Sequence, residues 1–205
     1  MKNRAALLLL LLMLLLVGCE KADPLEGIPN PIATITLSDG QAMRFELHVH
    51  DAPNTVANFV SLANSGYYNG CKFFRIVPGV LIQSGDHRNN GTGGTDYVIQ
   101  GEFAENGIEN PVRHRRGTIS MARQSGYDTA SSQFFIMEGS YPEYDGKYAA
   151  FGAAMDQATL DVIDALATNA VDANYSPVGR VPAIAGISCE TFGYSYEPAT
   201  MKPED

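Results

Sequence analysis

From Gly70 to Phe151 the chain never sustains apolar residues at helical spacing. Short runs such as Phe73-Phe74-Arg75-Ile76-Val77 and Val80-Leu81-Ile82 are cut by Gly, Asn, Pro and Asp, the punctuation of strands joined by turns. Upstream, Ala33, Ile35 and Leu37 alternate with Thr34 and Thr36. After Ser38-Asp39-Gly40, Met43, Phe45, Leu47 and Val49 alternate with Arg44, Glu46, His48 and His50. That period of two predicts a hairpin with one face buried and one wet. His48 and His50 share the wet face with charged neighbours and no third metal ligand, so they read as solvated. Two segments carry helical period. Val56, Phe59, Val60 and Ala63 follow Pro53 and stop at Asn64-Ser65-Gly66, and Leu160, Ile163 and Leu166 recur after Asp156. Residues 181–192 close with strand character. Many short strands with one helix early and one late predict a mainly β fold, a closed antiparallel barrel with helices over its ends.

The N-terminus stands apart from this pattern. Lys2 and Arg4 precede an uncharged apolar run from Ala5 to Val17, too short to span a bilayer but suited to a secretory signal. Its end, Leu16-Val17-Gly18-Cys19, resembles the lipobox of bacterial lipoproteins, which implies cleavage before Cys19 and acylation of its thiol. The predicted organisation is a signal peptide over 1–18, an extended proline-bearing tether over 19–31, one domain over 32–192 and a polar C-terminal tail over 193–205 that frays. The expected address is the bacterial cell envelope, on the periplasmic side or the cell surface, with membrane contact by the lipid anchor only.

Fourteen basic residues lose Lys2 and Arg4 with the signal, leaving 12 against 23 acidic and a mature net charge of −11. A surface so acidic repels nucleic acid and favours solubility. The one basic run, Arg113-His114-Arg115-Arg116, reads as a solvated loop. No large apolar stripe demands a partner, so a monomer is expected. Cys71 and Cys189 remain after processing, and an exported chain allows them to be bridged or left as two thiols.

Hydrolase and nucleotide chemistry lack their parts. Asn90-Gly91-Thr92-Gly93-Gly94 is glycine-rich, but no Lys-Ser/Thr follows and no helix starts there, so it is a poor phosphate cradle. There is no G-x-S-x-G and no H-E-x-x-H. What stands out is a pair of polar residues, Arg75 and Gln83, inside strand-like runs otherwise fit for a core.

Five ordered segments account for that pair. Phe73 to Asp86, the Asn90–Gly94 glycines, Arg115 to Arg123 (RRGTISMAR), Ser131 to Met137 (SSQFFIM) and Asp145 to Gly152 (DGKYAAFG) together resemble a cyclophilin, the barrel-shaped family of peptidyl-prolyl cis/trans isomerases. The resemblance covers roughly residues 32–192 and implies an eight-stranded antiparallel barrel capped by two α-helices. It implies catalytic roles for Arg75 and Gln83. It also implies a shallow outer groove in which Val80, Leu81, Ala122, Arg123, Gln133, Phe135, Tyr144 and Tyr148 bind substrate, the backbone of Arg123 gripping an extended peptide.

The implied chemistry explains the residue types. Rotation about X–Pro breaks amide resonance, a barrier of about 18–20 kcal/mol. At the transition state the proline nitrogen carries a basic lone pair, and a donor aimed at it binds the twisted state better than either planar one. Arginine is permanently charged and carries rigidly placed donors. No cofactor, metal or nucleophile is needed. The expected partners are proline-containing peptides and unfolded exported proteins. The sequence departs from the family pattern at Val80, often phenylalanine, at Tyr148, commonly histidine, and at a tryptophan position occupied by Glu143 or Tyr144. These departures motivate a second reading, a weakly active or inactive module that grips proline segments.

Overall fold

The structure, a computed structural model, describes residues 25–196 and 199–203. The expected signal peptide, the acylated Cys19 and residues 20–24 of the expected tether lie outside the described residues. From Leu25 onward that tether is docked rather than free. Leu25 packs against the core, Leu47 N–H donates to Pro31 O at 2.8 Å, and Val49 N–H donates to Asn30 Oδ1 at 3.1 Å.

The opening hairpin forms as its alternation dictates. Strands β1 (Ile32–Leu37) and β2 (Ala42–Leu47) pair antiparallel with Thr34 opposite Arg44, and Ala33, Ile35, Leu37, Met43, Phe45 and Leu47 all face the core. Helix α1 (Pro53–Asn64) starts on Pro53, whose missing N–H is one of the helix's orphan donors in any case. Ala52 provides no cap. Instead Glu102, 48 residues away, accepts from Asn54 N–H at 3.0 Å and from Thr55 N–H at 2.7 Å, placing a carboxylate at the positive end of the helix. The Phe59 ring meets Tyr68, Phe134 and Phe151 at 5.2, 5.6 and 5.2 Å between centroids, so α1 fills the hollow of the sheet.

Strands β3 (Arg75–Val77) and β4 (Leu81–Ser84) form the second hairpin. Next come β5 (Tyr97–Ile99), β6 (Thr118–Met121), β7 (Phe134–Met137) and β8 (Ala150–Ala154). Helix α2 (Gln157–Ala167) is capped by Asp156, whose side chain accepts from Thr159 N–H at 2.8 Å. It buries Ile163 and Leu166, with Leu160 half-buried. Strand β9 (Ile184–Glu190) returns to β1. None of the described helices is long and apolar enough to cross a membrane.

The main sheet holds eight antiparallel strands in the order β3-β4-β7-β6-β8-β2-β1-β9, a curled half-barrel rather than the closed barrel expected from the sequence. Its edges fail to ladder because they are out of step. β9 lies beside residues 70–72, ahead of β3, through the bridge Lys72↔Ala183 and the bonds Gly70 N–H to Ile184 O and Ile184 N–H to Cys71 O, both 2.8 Å. Opposite β3 itself runs the irregular 172–177 segment, where Ile76 N–H reaches Tyr175 O at 2.8 Å and Pro177 has no donor to give. The tail also departs from expectation. Met201–Pro203 form β10, antiparallel to β5, instead of fraying.

Cys71 and Cys189 are both free thiols, and burial pushes them up to about 11 and about 12 respectively. The basic run is only partly a solvated loop. Its three arginines are exposed, but His114 is 1 % exposed.

Candidate active groove

Directly opposed residues on antiparallel strands point to the same face of a sheet. Arg75 stands opposite Gln83, Gln83 opposite Phe135, and Phe135 opposite Ser120, so one row crosses β3, β4, β7 and β6. Adjacent strands are about 4.8 Å apart, which puts the Arg75 backbone about 10 Å from that of Phe135, within reach of a ligand between their side chains. This face is not the main core. It carries a second apolar cluster of Leu81, Phe135 and Met137, with Val77, Val80, Ala122, Tyr141, Tyr144 and Tyr148 packed against it.

A cleft of about 170 Å³ opens over the cluster, lined by Arg75, Leu81, Gln83, Ala122, Arg123, Phe135, Tyr144 and Tyr148. These are eight of the ten groove residues that the sequence names. Gln133 lines an adjoining cleft of about 500 Å³ that shares Gln83, Ala122 and Arg123 with the first. Val80, half-buried, packs against the same apolar cluster without lining either cleft. Of the two candidates for the family's tryptophan position, Tyr144 faces the cleft and Glu143 is exposed on the short 3₁₀ turn Pro142–Tyr144.

The polar rim is a fixed sequence of hydrogen bonds. Arg75 Nη1 donates to Gln83 Oε1 at 3.3 Å, Gln83 Nε2 donates to Gln133 Oε1 at 2.9 Å, and Gln133 Nε2 donates to Gly91 O and Gly93 O at 3.1 and 2.6 Å. The two carbonyls settle which way each amide points, because only an NH₂ can serve them. Gln83 therefore turns its oxygen to the guanidinium and keeps one amide proton for a ligand. Among the described residues Arg75 is in no ion pair, so no carboxylate there neutralises it.

The other wall is aromatic. Phe135 meets Tyr148 at 5.5 Å and Tyr144 at 6.0 Å, both edge-on. Burial pushes the Tyr144 phenol up from its ordinary value, while the nearby Arg75 charge pulls it down. Arg123 sits outside this wall with its guanidinium over Tyr148, Phe103 and Tyr127 at 4.9, 5.2 and 5.3 Å. Its Nε donates to Lys147 O at 3.0 Å. The side chain thus braces the aromatic wall from its outer side.

His114 was missed by sequence reasoning. It lies under this wall with Nδ1 3.1 Å from Asp145 Oδ1 and Nε2 3.0 Å from Ser120 Oγ. Burial lowers its proton affinity, and Asp145 works against that. No group of three or more His, Cys, Asp or Glu side chains is placed to hold a metal among the described residues.

Comparison with known proteins bears on the family and the fold. The family model described as cyclophilin-type peptidyl-prolyl cis-trans isomerase/CLD matches residues 32–187. A peptidyl-prolyl cis-trans isomerase of Helicobacter pylori is 42% identical over 132 residues, 64% of this chain and 78% of its own length. Peptidyl-prolyl cis-trans isomerase B of Bacillus subtilis is 44% identical over 116 residues, 57% of this chain and 78% of its own. Among solved structures, a Cryptosporidium parvum cyclophilin-type isomerase, crystallised in the presence of the dipeptide Ala-Pro, superposes with a TM-score of 0.66 at 30% identity. The match covers 77% of this chain and 97% of that one.

Proposed function

This chain belongs to the cyclophilin-type peptidyl-prolyl cis/trans isomerases, and from that membership we propose that it turns over X–Pro bonds of exported proteins in the cell envelope, held there by a lipid on Cys19. The isomerase is assigned to the cleft on the outer face of the sheet. The observation that carries the assignment is the row Arg75–Gln83–Phe135, a guanidinium and an apolar floor on either side of one oriented amide.

In this reading Phe135, Leu81 and Ala122 take the proline ring, with Val80 packed against them and Tyr144 and Tyr148 forming the wall. Arg75 donates to the imide nitrogen as it loses planarity. A planar amide nitrogen has no lone pair to offer, so that bond exists only near the transition state and lowers the barrier rather than deepening the ground state. Gln83 holds Arg75 on one side and offers its remaining amide proton to the substrate carbonyl. Gln133 fixes Gln83, and the Arg123 backbone grips the extended chain beside the proline. The Ala-Pro dipeptide used with the Cryptosporidium parvum relative is in keeping with a proline ligand here.

The envelope address is supported by the sequence Leu16-Val17-Gly18-Cys19 at the end of the apolar run. The test is to express the full chain in a bacterium with lipoprotein maturation and feed it an alkyne-tagged fatty acid. The wild type should take the label and sediment with membranes. Cys19→Ala should lose the label and, if released, appear in the soluble fraction. A wild type that is never labelled, or a Cys19→Ala chain labelled equally, overturns the lipid tether without touching the isomerase.

A further inference from the structure

We propose that His114 is a positioning residue of the isomerase groove, a neutral imidazole held in one tautomer by Asp145 and Ser120 that serves as the plate on which the Phe135, Tyr144 and Tyr148 rings are set. The inference rests on the reading of this groove as the place of catalysis, and it assigns a role to a residue that does not itself line the cleft.

A buried imidazole must satisfy two ring nitrogens, and it can do so in only a few ways. Asp145 Oδ1 accepts the His114 backbone N–H at 2.7 Å and lies 3.1 Å from Nδ1. Its second oxygen faces the Arg113 guanidinium at 3.7 Å. A carboxylate only accepts, so Nδ1 carries the proton. Nε2 is then a bare lone pair, and Ser120 Oγ–H donates to it at 3.0 Å. Two hydrogen bonds on opposite sides of a planar ring fix the plane of that ring as well as its position.

The plane matters because of what lies on it. The imidazole is stacked on Phe135 with centroids 5.9 Å apart and an interplanar angle of 18°. Its edge meets Tyr144 at 5.9 Å and Tyr148 at 6.3 Å. One buried side chain thus touches all three rings of the cleft's aromatic wall. Ser120, which anchors it, stands opposite Phe135 in the β6–β7 pair, so plate and floor share a single strand register. A leucine or phenylalanine here would fill the volume but leave the buried Ser120 hydroxyl without its acceptor and break the ring's bond to Asp145, so nothing would fix the orientation of the side chain under Phe135. The lowered proton affinity of His114 agrees with a neutral ring.

Catalysis requires the proline ring on Phe135 and the imide nitrogen under Arg75 at the same instant. A misplacement of about 1 Å at a reacting centre can cost on the order of 10²-fold in rate. Apolar contact with a planar or a twisted proline is nearly the same, so loosening the plate should act on kcat more than on KM.

The test uses the full chain and two variants. His114→Gln keeps an amide between Asp145 and Ser120 but removes the ring, while His114→Phe keeps a ring but loses both hydrogen bonds. Cis/trans exchange spectroscopy of an X–Pro peptide over a range of concentrations separates kcat from KM, and aromatic ¹³C spectra follow the Phe135 ring. Each variant is expected to lose about tenfold in kcat with KM within twofold, and Phe135 should flip faster. In the wild type at pH 7, imidazole ¹⁵N spectra should show Nδ1 protonated and Nε2 bare. A folded variant with wild-type kcat overturns the proposal. So does a wild-type ring that is charged or protonated on Nε2, a readout that survives even if neither variant folds. A wild type without turnover refutes the groove reading instead.

Discussion

Replacing Arg75 by alanine is the most direct test of the proposed groove. The side chain stands on β3, a three-residue strand at the edge of the sheet, and among the described residues its one side-chain bond is the 3.3 Å contact to Gln83 Oε1. Removing it costs the fold little, since a hydrogen bond of that length at a half-buried edge contributes at most about 1 kcal/mol. The effect on the reaction is of another size. A preorganised donor aimed where charge or a lone pair develops contributes roughly 2.7–4 kcal/mol, or about 10²–10³ in kcat. Arg75 is half-buried, so some of that is screened, and the lower end applies: a loss of about 10²-fold, equivalent to about 2.7 kcal/mol at 1.36 kcal/mol per decade. Arg75→Lys keeps the charge but loses the fork that reaches Gln83 and substrate together, and should recover about one decade. The assay is two-dimensional exchange between the cis and trans peaks of an X–Pro peptide, which reports turnover without a coupled protease. Thermal unfolding of each variant provides the control. An Arg75→Ala protein that is folded and within threefold of wild type would refute the assignment of Arg75, and with it the catalytic use of the row.

Two further outcomes follow from the loops around the groove. Gly85 has φ +89° and packs against the β7 segment, where an added Cβ would collide with Ser132 O and lie 2.9 Å from Gln133 Cα. Gly85→Ala should therefore lose about 3 kcal/mol, lowering Tm by about 10 °C; a Tm within 2 °C of wild type would show that β4 and β7 can part freely. Stability should also fall on acidification, with two signs to keep apart. The folded His114 binds its proton less readily than the ordinary 6.5, so the unfolded chain gains the proton first, and stability present above about pH 6.5 is lost as pH drops below it. Burial pushes Asp86 up, but backbone donors from Arg88, Asn90, Gly93 and Gly91 outweigh it, so its contribution is present above its ordinary 3.8 and is lost below. Glu102 opposes both, because burial raises it above its ordinary 4.5 and acid relieves the cost of its charge. The difference in Tm between wild type and His114→Gln, measured from pH 8 to 5, isolates the first effect. That difference should shrink as pH falls, and a difference that grows would contradict a neutral buried ring.

The legible parts of this fold are those where one residue's neighbours in sequence decide its fate. The alternation from Ala33 to Val49 puts seven apolar side chains on the core face because a strand exposes its two faces to different solvents. The helices at Val56 and Leu160 follow from the same logic at period 3.6. Where the decision lies far along the chain, the sequence misleads. Glu102 caps α1 from 48 residues away, and nothing local marks it. His114 sits among three arginines and reads as wet, yet its partner Asp145 is 31 residues downstream. Closure of the barrel depends on whether β3 and β9 arrive at the same level, a matter of loop path rather than residue type. The cysteines illustrate this too. Cys71 lies beside Ile184, and Cys189 is five residues further along β9, about 16 Å at strand rise, whereas a disulfide needs Cα atoms about 4.4–6.8 Å apart.

The glycine run at Asn90–Gly94, a poor phosphate cradle by its sequence context, has a different task in the folded chain. Asp86 is buried directly after β4 and turns its carboxylate into the following loop, where it accepts Arg88 N–H at 2.7 Å, Asn90 N–H at 3.1 Å and Gly91 N–H at 2.7 Å. A Cβ on Gly93 would occupy the place of Asp86 Oδ1, so only glycine lets the carboxylate reach the loop. The loop so held points Gly91 O and Gly93 O at Gln133, Gln133 orients Gln83, and Gln83 receives Arg75. Each link has one permitted direction, because a carboxylate and a carbonyl can only accept while a guanidinium can only donate. The orientation of a cation at the sheet edge is therefore set by a buried anion and the glycine-rich loop from Asn90 to Gly94. In the proposed site, therefore, a strand of only three residues does not hold Arg75 in place alone, since the loop reaches across to it through two amides.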